Sequence, residues 1–159
     1  MGNGMNKVID GLYLGNIRDS ENRESLSKYG ITHILSVCNN AKPVLETPRI
    51  KTCCSILKSV SALSMSVGSA EGRVWSTGEY EVLMIADLCF SLAGVSRSTT
   101  MVVAYLMTVT TYGWEECLSA VKAVRSFVGP NCGFQQQLQQ FQRTQLSEVS
   151  LQPSAHIIR

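Results

Sequence analysis

Nine consecutive residues, Phe90-Ser91-Leu92-Ala93-Gly94-Val95-Ser96-Arg97-Ser98, have the residue types of an anion-binding loop. An apolar run, Val82 to Ile85, leads toward them, and a long apolar pattern from about Ser98 to Tyr112 follows. Strand, small-residue loop and helix start, in that order, aim backbone N–H groups at one point with a helix dipole behind them. The five residues between Ser91 and Arg97 are enough for the chain to curl round one anion, so Leu92, Ala93, Gly94, Val95, Ser96 and Arg97 form the expected phosphate cradle. Gly94 permits the tight backbone path. Arg97 offers a planar fork that suits two phosphate oxygens. Ser98 is placed to hydrogen-bond residue 91 at the base of the loop. The competing reading is a plain strand-to-helix turn with no ligand; the Arg97-Ser98 pair and the buried helix behind it favour phosphate.

Phosphate-ester hydrolysis on such a loop needs a thiolate nucleophile, the cradle, and an acid for the leaving oxygen. A cysteine at a helix N-terminus beside arginine can have its pKa lowered from about 8.5 to roughly 3.5–7.5. Residue 91 is a serine, whose hydroxyl stays protonated in the same field unless a base activates it. The only histidines are His33 and His156, neither near in sequence. Cys89, two positions before Ser91, shares its strand face but sits further back, below the loop. The chain has three aspartates, Asp10, Asp19 and Asp87; Asp87 reads as a strand-end or turn carboxylate rather than an acid. Glu71, Glu79 and Glu81 are conceivable substitutes with no positional support.

The elements that must position the loop can be read around it. Lys7 to Ile9 and Leu12 to Leu14 are short strands flanking an Asp10-Gly11 turn. Asp19 or Ser20 is the expected cap of a short helix through Leu26 to Tyr29, with Gly30 at its C′ position. Ile31 to Val37 is a strand. Thr47 to Leu63 has no firm period, and Ser64 to Gly78 reads as loop. Val82 to Ile85 reads as a buried central strand. The helix after the loop is apolar nearly all round, as expected behind a central sheet. Trp114 to Val124 is amphipathic, with Trp114, Cys117, Leu118, Val121 and Val124 on one face. Gly129-Pro130-Asn131 breaks the chain, Asn131 is a candidate cap, and Phe134, Leu138 and Phe141 mark a final helix that frays after about Glu148.

A chain of 159 residues suits one α/β domain, here 1–146 with an atypical stretch at 46–91 and a tail at 147–159. A net charge of +2 without a basic run argues against nucleic acid. Six cysteines without CxxC or Cys/His spacing argue against a metal site, and no cofactor is expected. With no signal-peptide pattern, a cytoplasmic, reducing compartment and free thiols are expected. Removal of Met1 would expose Gly2 for acylation, though Asn6 stands where the usual pattern has Ser or Thr.

Several stretches resemble a known family: Met1-Gly2-Asn3-Gly4-Met5-Asn6-Lys7, Gly11-Leu12-Tyr13-Leu14-Gly15-Asn16, Ile31 to Val37, Leu92 to Thr100, Ala104 to Thr110, Gly113-Trp114, and Pro130-Asn131 through Gln135. They are similar to an atypical dual-specificity protein phosphatase of the cysteine-based superfamily, in particular the myristoylated JNK-stimulatory phosphatase type. The resemblance implies a central, mainly parallel sheet with helices on both faces. It implies hydrolysis of phosphotyrosine and phosphoserine/threonine esters through a phosphocysteine, without metal. It also implies phosphorylated protein partners, MAP-kinase pathway components among them, and peripheral membrane contact, including at the plasma membrane, through N-myristoyl Gly2. The family writes His-Cys where this chain has Phe90-Ser91, and carries an upstream acid Asp that nothing between Thr47 and Ala86 supplies. Similarity stops near Leu45 and restarts at Leu92. Three readings follow: a phosphatase using Ser91, a pseudophosphatase that binds phosphate without hydrolysis, or a family member whose segment from Glu46 to Ser91 is not native to the family.

Overall fold

The computed structural model describes residues 4–37, 51–55, 64–66, 74–76, 81–83, 87–91 and 93–149. Gly2, Leu92 and residues 150–159 of the expected tail at 147–159 lie outside the described residues, as does most of the stretch from 38 to 86.

The chain begins with an antiparallel hairpin, β1 (Asn6–Ile9) and β2 (Leu12–Asn16). Its turn is the expected Asp10-Gly11, and Gly11 takes a φ of +79° that suits a residue without Cβ. Two short helices follow, α1 (Ile17–Glu21) and α2 (Arg23–Lys28). Their caps correct the sequence reading. Asn16 and Asn22, not Asp19 or Ser20, cap them: Asp19 N donates to Asn16 Oδ1 at 3.1 Å and Ser25 N to Asn22 Oδ1 at 3.1 Å. Asp19 is instead the returning member of a capping box, its Oδ2 accepting from Asn16 N at 2.8 Å. Gly30, at φ +65°, lets the chain leave α2.

Next come β3 (His33–Val37), β4 (Lys51–Ser55), β5 (Ser64–Ser66), β6 (Val74–Ser76), β7 (Glu81–Leu83) and β8 (Asp87–Ser91). The main sheet has the order β1-β2-β8-β3-β4, parallel except for the first pair. A separate antiparallel sheet has the order β5-β6-β7. Two expectations change here. The central strand is Asp87–Ser91, while Glu81–Leu83 pairs in the small sheet and Ile85 lies outside the described residues. Part of the predicted loop from Ser64 to Gly78 is strand. Three-residue arms are held by main-chain pairing, so they are too short to show a side-chain period.

Alternation along the sheet sorts the core into two layers. Leu12, Leu14, Leu35, Val37 and Cys89 face the three C-terminal helices, while Ile34 and Leu88 face the other way with Leu26 and Ile31. Those helices are α3 (Arg97–Val109), α4 (Trp114–Val124) and α5 (Cys132–Val149). Every α3 residue from Ser98 to Val109 is buried except Tyr105, as expected of a helix behind a central sheet. It stops earlier than Tyr112 because Thr110 turns extended and its Oγ1 donates to Leu106 O at 2.6 Å. On α4, Cys117, Leu118 and Val121 are buried, but Val124 is 39% exposed: the last turn runs past the core. Asn131 caps α5, with Phe134 N donating to its Oδ1 at 2.9 Å. The helix continues through Val149, beyond the expected fraying point.

Candidate active site

β8 carries the site, because it ends where the loop begins. Leu88 and Cys89 bury opposite faces of the strand, so Ser91 emerges on the Cys89 side, toward α3. Ser91 is only 6% exposed, and its Oγ lies 2.9 Å from Ser98 Oγ. The two hydroxyls share one hydrogen bond, in which either can donate. Cys89 lies deeper in the same line, its thiol donating to Ser98 O at 3.7 Å. Burial leaves it a core side chain rather than a substitute for residue 91.

From Ser91 the chain turns through Ala93 to Ser96 into α3; Leu92 lies outside the described residues. The N-terminus of α3 differs from the other helix starts. Those of α1, α2 and α5 have an asparagine side chain accepting from the first turn, and α4 has Glu116 Oε2 accepting from Gly113 N at 3.1 Å. At α3 the Ser96 cap makes no such bond, and no acid lies in the first turn. The Ser96 hydroxyl instead accepts from Asn131 N at 3.4 Å. The positive end of the α3 dipole is thus left for an external anion, and Arg97, the first helical residue and half-exposed, adds a full charge there.

A loop that turns its N–H groups inward must turn carbonyls outward, and buried carbonyls need donors. Gly94 O accepts from Arg125 Nε at 3.1 Å, and Val95 O from Gly129 N at 2.9 Å. Ser96 O accepts from Thr100 N at 2.9 Å and from Thr100 Oγ1 at 2.8 Å. The segment 125–131, which the sequence marks only as a chain break, is therefore a buttress for the loop. Gly94 makes this fit possible. It has φ +65°, and a Cβ there would run into Gly15 O and come within 2.8 Å of Arg125 Nη2.

Arg125 is the residue that sequence reasoning misses. It is 1% exposed and also donates from Nη1 to Gly4 O at 3.0 Å and Asn6 Oδ1 at 2.7 Å. Its guanidinium lies 4.6 Å from the Phe127 ring centre. Burial pushes its pKa down and the Asp19 carboxylate pulls it back up; arginine starts so high that it stays charged. The signal that could have found it is an arginine directly after an amphipathic helix and four residues before a glycine-proline break.

Among the described residues, the three aspartates and His33 lie elsewhere. Exposed Asp10 pairs with Lys7, which holds its carboxyl below the usual range. Asp19 is committed to the α1 capping box. Asp87 opens β8, so four residues of strand, about 13 Å, separate its backbone from Ser91. It is at a strand end as read, but the end away from the loop. His33 pairs with Asp87 in register and so lies at that same far end of the sheet. Glu81 is in β7, and Glu71, Glu79 and His156 lie outside the described residues.

Comparison with known proteins agrees with this geometry. The family model "Dual specificity phosphatase, catalytic domain" matches residues 88–144, beginning four residues before Leu92. Dual specificity protein phosphatase 22-A of Danio rerio is 66% identical over 148 residues, covering 93% of this chain and 70% of that protein. Dual specificity protein phosphatase 22 of Homo sapiens is 43% identical over 150 residues, covering 93% and 79%. The crystal structure of DUSP15 superposes with a TM-score of 0.72 at 32% identity, covering 93% of each chain. The mainly parallel sheet and the relatives agree: the chain belongs to the dual specificity phosphatase family, protein phosphatases whose substrates are phosphoproteins.

Proposed function

We propose that this chain holds phosphorylated protein side chains in the loop from Ser91 to Arg97 and hydrolyses them slowly or not at all. Ser91 stands where the family has its cysteine, and Arg97 grips the phosphate. Ser98 hydrogen-bonds the residue at the loop's base. The observation that carries this reading is the contrast within the loop: outward carbonyls bonded to donors, but a buried serine whose described neighbour is another serine hydroxyl. A serine without a base is a poor nucleophile near neutral pH. None of the three aspartates is placed to protonate a leaving group, and general acid catalysis typically contributes 10²–10⁴-fold.

The test is Ser91→Cys. The unaltered chain should hydrolyse aryl phosphates at or near background. The variant should gain a rate that rises as its thiol ionises, at about pH 3.5–7.5. With no acid, that rate should fall steeply as the leaving phenol becomes more basic. Efficient turnover by the unaltered chain, abolished by Ser91→Ala, would make it an ordinary enzyme using serine.

The partners in this reading are phosphorylated proteins of MAP-kinase signalling. The chain meets them in the cytoplasm, held at the plasma membrane by myristoylated Gly2. One acyl chain gives only reversible attachment, so Gly2→Ala should move the chain to the soluble fraction; unchanged membrane association would refute it. In a second reading the segment 46–91 departs from the family, although relatives align over 93% of the chain. Peptides of the native protein spanning Glu46 to Arg97 decide it: Phe90-Ser91 supports a binding protein, and His-Cys with a restored Asp segment a conventional phosphatase.

A further inference from the structure

Arg125 makes four connections, and they do not belong to one part of the chain. Its Nε holds the carbonyl of Gly94 in the loop, while its Nη1 holds Gly4 O and the Asn6 side chain, 121 and 119 positions away in sequence. Its planar face lies over Phe127. A guanidinium is rigid, so the directions of its N–H groups are fixed relative to one another. Moving the acceptors at residues 4 and 6 must rotate or release the fork that holds Gly94. The bonds are charge-assisted and the Arg125 side chain is buried, which makes them costly to leave unmade. Nη2 has no partner among the described residues and sits against Gly94, so there is little slack on the loop side.

We infer that Arg125 is a positioning residue that couples the N-terminal strand to the anion loop, making residues Gly4 to Asn6 a control point for phosphate affinity. The inference rests on the phosphate-cradle reading. Arg125 does not touch the anion. It acts through the Gly94 carbonyl, and so through the direction of the loop's N–H groups. A change at the N-terminus that draws Asn6 from the guanidinium loosens the cradle without altering any residue that faces phosphate.

The experiment is titration of the full chain with inorganic phosphate, followed by calorimetry and by the Gly94 and Val95 amide signals in NMR. Asn6→Ala removes one acceptor and leaves Arg125 itself in place, so any change at the loop must travel through the fork. It should weaken phosphate binding about threefold or more and shift those two amides. Arg125→Met should weaken it more than about tenfold. Arg125→Lys, which keeps the charge but cannot span both acceptor sets, should recover part of that loss; a merely space-filling role would make Lys no better than Met. If Arg125→Met fails to fold, Asn6→Ala still decides. Unchanged affinity and unchanged loop amides in Asn6→Ala, with Arg97→Ala unable to bind, would overturn the coupling alone. Full-strength binding by Arg97→Ala would remove the cradle reading and the coupling with it.

Discussion

The outward and inward sides of one loop differ in kind. Outside, Gly94, Val95 and Ser96 each give their carbonyl to a donor from another part of the chain or the next helical turn. On the other side the chain offers an uncapped helix start, whose first residue is Arg97, and two serine hydroxyls bonded to each other. The outward side is what a phosphate cradle would require. In the proposed reading the inward side binds the anion, and the atom at residue 91 decides whether binding leads to bond cleavage. Sulfur at residue 91 would ionise near neutral pH in this field, and oxygen does not. Anion recognition is distributed over many backbone groups, whereas reactivity is concentrated in a single side chain. One substitution can therefore separate them.

Gly94→Ala should break the comparison most severely, because it damages both sides. It forces a Cβ into Gly15 O and Arg125 Nη2 at a left-handed φ. It should cost about 3 kcal/mol of stability, read by thermal unfolding, and abolish phosphate binding. Arg97→Ala touches only the inward side. It should lower phosphate affinity by about 3 kcal/mol, enough to lose binding in the calorimeter, and leave the melting temperature nearly unchanged. The smallest effects come from two helix caps. Asn22→Ala and Asn131→Ala should each cost about 1 kcal/mol of stability. Only Asn131 belongs to the buttress: its backbone N–H donates to Ser96 Oγ, and loss of its side-chain cap on Phe134 N frees that backbone to shift. Phosphate affinity should therefore fall in Asn131→Ala and hold in Asn22→Ala. Equal binding by the two would mean that the buttress has no hold on the inward side.

Much of this was legible in the sequence where a local pattern suffices. The hairpin at Asp10-Gly11, the helix Trp114–Val124 and the Asn131 cap follow from turn chemistry and apolar period. The order of strand, loop and helix is also as read, with β8 running through the loop into α3. The misses are of two kinds. Several polar residues in a row can all cap, and only the backbone path selects Asn16 and Asn22 among them. Val82 to Ile85 is the more apolar run and so reads as the central strand. Yet Leu88 and Cys89, each facing a different layer, make Asp87–Ser91 the strand that feeds the loop. Arg125 could not be read at all, since its acceptors Gly4, Asn6 and Gly94 are brought together only by the fold.

The most direct test of the central claim is calorimetric titration of the unaltered chain with phenyl phosphate, with product phenol measured in the same cell. The account predicts saturable binding at one site, lost in Arg97→Ala, with phenol at background. Absence of binding would contradict the cradle, and binding with rapid phenol release would contradict the role assigned to Ser91.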